Sequence, residues 1–232
     1  MAFAYLNYMN YFKIWILAGM FFPANSSAQI ADTASADTTT IDSLNTSIIC
    51  YTDNPLTKAQ PESTWGNLVA DAQLWYARQK NRDVDASVLN QGCLRTSYLS
   101  PGAIIVKDIY ALLPFNNRLV VVELDGAQVT LLCNLIAEKG GWPVSGVTFG
   151  IAEDKAENIL INGNPVNQHL VYKIVMPDYL AYGGSGCTFL KTAKKKKTNK
   201  LLRNTVVEYL ESIQQKGEKL DMKIEGRIKY KD

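Results

Sequence analysis

The residues of this chain best suited to chemistry are binding groups. Asn90-x-Gly92-x-x-Arg95 sets an amide, a residue without a side chain and a guanidinium within six positions. The planar fork of Arg95 suits phosphate or sugar oxygens. Asn90, and Asn117 in Leu113-Pro-Phe-Asn-Asn117, can each donate and accept at hydroxyls or base edges. Phe115 in that second segment and Tyr179 in Asp178-Tyr-Leu-Ala-Tyr-Gly-Gly-Ser-Gly186 offer ring faces. Stacking on such faces suits any nucleobase, because every base has a π surface. Gly183 and Gly184 carry no Cβ, so the backbone there can approach a ligand closely or take positive φ. The group points to a planar ligand with polar edges.

Catalytic residue sets are missing by arithmetic. The chain of 232 residues has one histidine, His169, which reads as a solvated side chain beside a turn. Two-metal phosphatases and zinc hydrolases need several His and carboxylate ligands. No G-x-S-x-G, P-loop or C-x-x-C spacing is present, so no catalytic residue and no metal ligand is assigned. With 24 basic and 22 acidic residues the net charge is +2, which implies no nucleic-acid partner. The run Lys194-Lys-Lys-Lys197 reads as a solvated loop before the last helix.

These side chains need elements to position them, and a composition 47% apolar is enough to build a core. Ser63 or Thr64 can cap a helix with Trp65, Leu68, Val69, Ala72 and Tyr76 at three- and four-residue spacing. Val84, Ala86 and Val88 alternate as a strand ending at Leu89-Asn90. Ser100-Pro-Gly102 turns the chain into a strand from Ala103 to Val106, and Asp108 can cap a helical turn from Ile109 to Leu113. Leu119 to Leu124 reads as a strand, and Asp125-Gly126 leads into a helix with Leu131, Leu132, Leu135 and Ile136 on one face.

Three more strands are expected between Ser145 and Met176, with Asn162-Gly-Asn-Pro165 as a hairpin turn. A late helix presents Leu202, Val206, Leu210 and Ile213 and stops at Gly217, before a last strand around Met222 to Ile228. Interleaved helices, strands and hairpins predict one α/β (α+β) domain with a mixed sheet.

The N-terminus reads differently. An apolar run, Ile14 to Phe22, precedes Pro23 and the small residues Asn25-Ser-Ser-Ala28, the pattern of a secretory signal peptide over 1–28. The run is well short of the roughly 20 residues that span a bilayer, so no membrane span is expected. Residues 29–47, rich in Thr, Ser, Ala and Asp, read as a flexible linker to a domain over 48–232. The protein is therefore expected to be exported, to a periplasmic or extracellular location. Four cysteines allow three pairings, and a chain with a sufficient core needs none of them.

Six segments in order resemble the C-terminal, substrate-binding domain of the 5′-nucleotidase family. They are Glu62-x-x-x-Gly66-Asn67-Leu-x-x-Asp71-Ala72, the Asn90 to Arg95 segment, Pro101-Gly102, Leu113 to Asn117, Asp178 to Gly186, and Glu225-Gly-Arg227. The resemblance implies a four-layer α/β/β/α fold and substrate-binding residues Asn90, Arg95, Phe115, Asn117, Tyr179, Gly183, Gly184 and Ser185. By the same resemblance, Phe115 and Tyr179 match the two aromatic residues that sandwich the base. It also implies an N-terminal metallophosphoesterase domain with two divalent metals, which nothing in this sequence matches. Those metals are expected on a separate partner chain.

The chain departs from the family at Ser185, where Asp is usual and would contact the ribose. It departs again at Pro61, where many members place Arg. Cys93 stands where Gly or Ala is usual. Cys93 and Cys187 are both expected near the pocket. The implied function is nucleotide or nucleoside binding within a 5′-nucleotidase-type hydrolase. The alternatives are an exported nucleoside or nucleotide-sugar binding protein with no catalytic role, and a scaffold with a vestigial pocket.

Overall fold

Strands β1 (Ile48–Thr52) and β2 (Leu56–Thr57) lead to Ser63, whose hydroxyl accepts a hydrogen bond from the Gly66 amide and starts α1 (Thr64–Lys80). Such a cap satisfies one of the orphan amides of the first turn. Trp65, Leu68, Val69 and Ala72 of α1 are fully buried, as their spacing predicts. The structure is a computed structural model and describes residues 46–81 and 83–231. The expected leader over 1–28 and all but the last two residues of the 29–47 segment lie outside the described residues.

After α1 come β3 (Ala86–Val88), β4 (Tyr98–Leu99), β5 (Gly102–Ile105) and α2 (Val106–Leu112). Asp108 lies inside the first turn of α2 and accepts from the Ile105 amide, so that the helix begins three residues earlier than a cap at Asp108 would place it. Then follow β6 (Arg118–Asp125), α3 (Gly126–Glu138), β7 (Val144–Ser145), β8 (Val147–Ala152), β9 (Lys155–Ile161), β10 (Asn164–Pro165) and β11 (Val171–Pro177). The chain closes with α4 (Asp178–Ala181), β12 (Lys194–Leu201), α5 (Leu202–Gln214) and β13 (Ile228–Tyr230).

The central sheet is mixed and five-stranded, in the order β12-β6-β11-β3-β7. Its strands separate two cores because side chains alternate across a pleated sheet. Leu119 and Val121 of β6 join α1, α2 and α5 in one core, with Trp65, Leu68, Ile109, Val206 and Leu210. Val120, Val122 and Leu124 face the other way into a second core with α3 and the sheet β10-β9-β8-β13. The fold is therefore the expected mixed α/β domain, with α1, α2 and α5 on one side of the central sheet and a second sheet with α3 on the other. Among the described residues no helix is long and apolar enough to cross a membrane.

Four expectations need correction. Lys194 to Lys197 form the edge strand β12, antiparallel to β6, and not a loop. Lysines are a common device on edge strands because they oppose pairing with another chain. The last strand starts at Ile228, where the expected one ended, while Met222 to Arg227 form no strand and bond to α1 through the Lys223 carbonyl and the Arg227 side chain. Four strands, β8 to β11, occupy the Ser145 to Met176 region. In its hairpin only Asn162 and Gly163 are the turn, both at positive φ (48° and 79°), and Asn164-Pro165 already pair with β9. On α3, Leu131 is exposed, and the buried face is Val129, Leu132, Cys133 and Ile136.

Candidate functional site

Sheet topology brings three separate motifs to one place. Strands β3 and β11 run parallel, in the register Ile174↔Ala86, so their C-terminal ends lie side by side. Strand β6 is antiparallel to β11 and pairs Leu119 with Pro177, so its N-terminal end shares that edge. Asn90 and Arg95 follow β3, Tyr179 and Ser185 follow β11, and Phe115 and Asn117 precede β6. In sheets with parallel strands, ligands commonly sit beyond such carboxyl ends.

A cavity of about 440 Å³ opens there, lined by Asn90, Gly92, Cys93, Arg95, Phe115, Asn117, Tyr179 and Ser185. Six of the eight expected binding residues thus meet in one wall. Phe115 and Tyr179 are 42% and 51% exposed, and both rings line the cavity. The Arg95 amide donates to the Leu112 carbonyl at the end of α2, tying its loop to the one that carries Phe115. The guanidinium then lies 4.9 Å from the Phe115 ring centroid, a cation–π stack. Among the described residues its five N–H groups make no hydrogen bond, leaving them open to an anionic or hydroxylated ligand.

Gly183 and Gly184 are not in the wall but behind it. A Cβ on Gly184 would sit 2.6 Å from Cε1 and Cζ of Tyr179, so the backbone passes directly against the ring. Gly183 takes φ of +100°, a conformation that favours glycine, and Ser185 is left-handed at +51°. The loop so bent returns the Ser185 amide to within 3.3 Å of the Tyr179 hydroxyl, to which it donates. Gly184 therefore packs against Tyr179, and Gly183 against Lys191.

Two lining residues, Gly92 and Cys93, were absent from the expected binding set. Their signal was present in the Asn90 to Arg95 segment itself, where they fill the positions between the polar ends. The Cys93 thiol donates to Asn90 Oδ1 at 3.0 Å and accepts from Asn117 Nδ2 at 3.6 Å. Burial pushes its pKa up to about 11, against the opposing pull of the Asn117 hydrogen bond and the Arg95 charge. Cys187 does not reach the cavity and is buried in the second core. All four cysteines are buried and unpaired. His169 is exposed, its amide donating to Asn167.

The remaining motifs form a latch away from the cavity. Asn67 Nδ2 on α1 and the amides of Glu225 and Arg227 all donate to the Glu62 carboxylate at 2.7 to 2.9 Å. Arg227 makes a bidentate pair with Asp71 at 2.7 and 2.8 Å, and also donates to Glu225 and to the Val144 carbonyl. Burial works against the Arg227 charge, but Asp71 and Glu225 outweigh it and hold its pKa above the ordinary value. This network fixes the 223–227 segment to α1.

The cavity does not fit a pair of divalent metals. Its wall contains no carboxylate and no imidazole, and it does contain a guanidinium. Among the described residues no three His, Cys, Asp or Glu side chains are grouped as metal ligands.

Fold and site together define a domain of the mixed α/β class, with a polar and aromatic cavity at one end of its central strands. The profile of the family described as 5′-nucleotidase, C-terminal domain, matches residues 38–192, and the chain belongs to that family. A Listeria monocytogenes cell wall protein is 30% identical over 210 residues, covering 83% of this chain and 27% of that protein. A Vibrio cholerae 5′-nucleotidase is 28% identical over 130 residues, covering 54% of this chain and 22% of that enzyme. The chain thus spans about a quarter of the length of these relatives. In fold it superposes on the Thermus thermophilus 5′-nucleotidase precursor with a TM-score of 0.71 at 24% identity, over 86% of this chain and 42% of that one.

Proposed function

We propose that this chain binds the nucleoside end of a nucleotide and contributes substrate binding to hydrolysis of the 5′-nucleotidase type. A separately encoded metallophosphoesterase chain is its catalytic partner and carries the two divalent metals. The observation that carries this reading is the cavity: two half-exposed rings, two amides and an uncommitted guanidinium converge at one sheet edge. Stacking surfaces suit the base, amides suit its edges or the sugar hydroxyls, and Arg95 suits phosphate. Family membership supports the assignment to nucleotide chemistry.

Export to a periplasmic or extracellular location is part of the proposal, supported by the leader pattern over 1–28 and the similarity to a cell wall protein. The domain itself is proposed to occupy 48–232, with 29–47 as its tether.

Calorimetry with nucleosides and their 5′-monophosphates tests the binding step, and binding of neither would refute it. Mixing the chain with a metallophosphoesterase then tests the catalytic step. The expected result is a raised kcat/KM for nucleotide hydrolysis. If binding is seen but mixing changes neither kcat nor KM, the chain is a nucleoside-binding protein with no catalytic role.

A further inference from the structure

We infer that Cys93 is a positioning residue, whose thiol sets which way the amides of Asn90 and Asn117 face the cavity. The inference rests on the binding reading above and adds to it the polarity of the cavity floor.

The short 3-10 turn Gln91–Cys93 returns the Cys93 amide to the Asn90 carbonyl at 2.9 Å. That turn brings Sγ over the Asn90 side chain, where the thiol donates to Oδ1 at 3.0 Å. A thiol has one hydrogen, so with that hydrogen committed to Asn90 the sulfur can only accept from Asn117. It does so from Nδ2 at 3.6 Å. The two amides are thereby held in opposite senses. Asn90 keeps its Nδ2 donor free and Asn117 keeps its Oδ1 acceptor free, and both residues line the cavity. Gly92 belongs to the same device, because a Cβ there would meet Asn90 Nδ2 at 3.0 Å.

The order of donor and acceptor requires the protonated thiol. Only 3% exposed and with its pKa near 11, Cys93 keeps its hydrogen through the neutral range. The floor therefore offers a fixed donor from Asn90 and a fixed acceptor from Asn117, and selects a ligand edge that presents an acceptor and a donor in the matching order. A free asparagine amide could flip to suit either order; here neither amide can flip alone, because the single thiol hydrogen serves only one of them as acceptor.

The test uses the whole chain with Cys93→Ala and Cys93→Ser, in wild-type and Asn117→Ala backgrounds, with adenosine and uridine as probes. Cys93→Ala should weaken the better ligand about tenfold, and Cys93→Ser, which keeps one donor and an acceptor, should restore most of it. In the Asn117→Ala background the effect of Cys93→Ala should shrink to about threefold, because one of the two amides it acts through is gone. An undiminished effect in that background, or no effect in the wild-type background, would overturn the inference.

A readout independent of ligand separates this from the binding reading. The side-chain amide protons of Asn117, followed by NMR, should exchange with solvent faster in Cys93→Ala than in the wild type, while Cys93→Ser retains protection. If the wild type binds neither nucleoside yet this signature is seen, the binding reading fails and the positioning survives. Unchanged exchange in Cys93→Ala refutes the positioning itself.

Discussion

Two regions of this molecule are built from family motifs of similar chemistry and do opposite things. The latch around Arg227 and the cavity around Arg95 each combine a guanidinium with asparagine side chains at the end of a regular element. Arg227 has a side chain 10% exposed and gives its donors to Asp71, Glu225 and the Val144 carbonyl. Arg95 is exposed and makes only a ring stack. Asn67 is consumed by Glu62 and the Lys223 carbonyl, whereas Asn90 and Asn117 each touch the one thiol between them. Residue type does not distinguish a structural motif from a binding one. The distinction is whether its polar atoms already have partners, since a buried polar group without one is costly.

The largest effect should come from breaking the latch. Arg227→Ala leaves Asp71 facing a lost partner, and removing one member of a buried pair costs about 3 to 5 kcal/mol. In a domain of this size that lowers Tm by on the order of 10 °C. Urea and thermal unfolding measure it, and nucleoside affinity below the transition should hold. Loss of affinity without loss of stability would dissolve the contrast between the two regions.

The cavity should behave in the reverse sense. Phe115→Ala and Tyr179→Ala each remove a stacking face and should weaken nucleoside binding by roughly 5- to 150-fold. Because both rings are exposed, the unfolding free energy should move by about 1 kcal/mol or less. Variants that unfold the domain would instead mark these rings as core.

A smaller and more selective change is expected at Arg95. Arg95→Ala should cost roughly tenfold for a nucleoside 5′-monophosphate, where a charge-assisted bond is lost. For the nucleoside the loss should stay below about threefold. Equal losses for both would place the guanidinium on the base or sugar and away from phosphate.

The smallest effect is a pH dependence tied to the second core. Burial raises the Cys133 thiol from 9.0 to about 12, so the folded state holds a proton that the unfolded chain gives up first. The stability tied to that proton is whole below pH 9 and is lost as the pH climbs toward 12. Denaturation midpoints of Cys133→Ala should therefore fall less steeply over that window than those of the wild type.

Much of the architecture could be read from the chain because its signals are local. Ser63 caps α1, apolar spacing marks the buried face of that helix, and alternation in Leu119 to Leu124 marks β6. Six of the cavity residues were legible through the motifs that carry them, and Phe115 and Tyr179 follow strand-breaking or helix-starting positions that free them from a core face. Local pattern failed where pairing partners lie far off in sequence. The lysine run is a strand because β6 offers its edge, some 70 residues earlier, and no property of four lysines announces that. Leu131 looked like core because the apolar run on α3 is wider than the face that its neighbours cover.

The sequence by itself determined most of the element types, the aromatic and polar residues at loop positions, and a histidine count of one. Only the tertiary structure decided which motifs meet at the cavity. Strand order in the central sheet gathers the Asn90, Phe115 and Tyr179 segments at one edge, while the 223–227 segment turns Glu62, Asn67 and Asp71 inward. It also packed Gly184 against Tyr179 and put Cys93 between two asparagines. The physical reason is that partnership among polar atoms depends on distances between residues far apart in sequence. Those distances are set by strand register and core packing, which no single segment encodes.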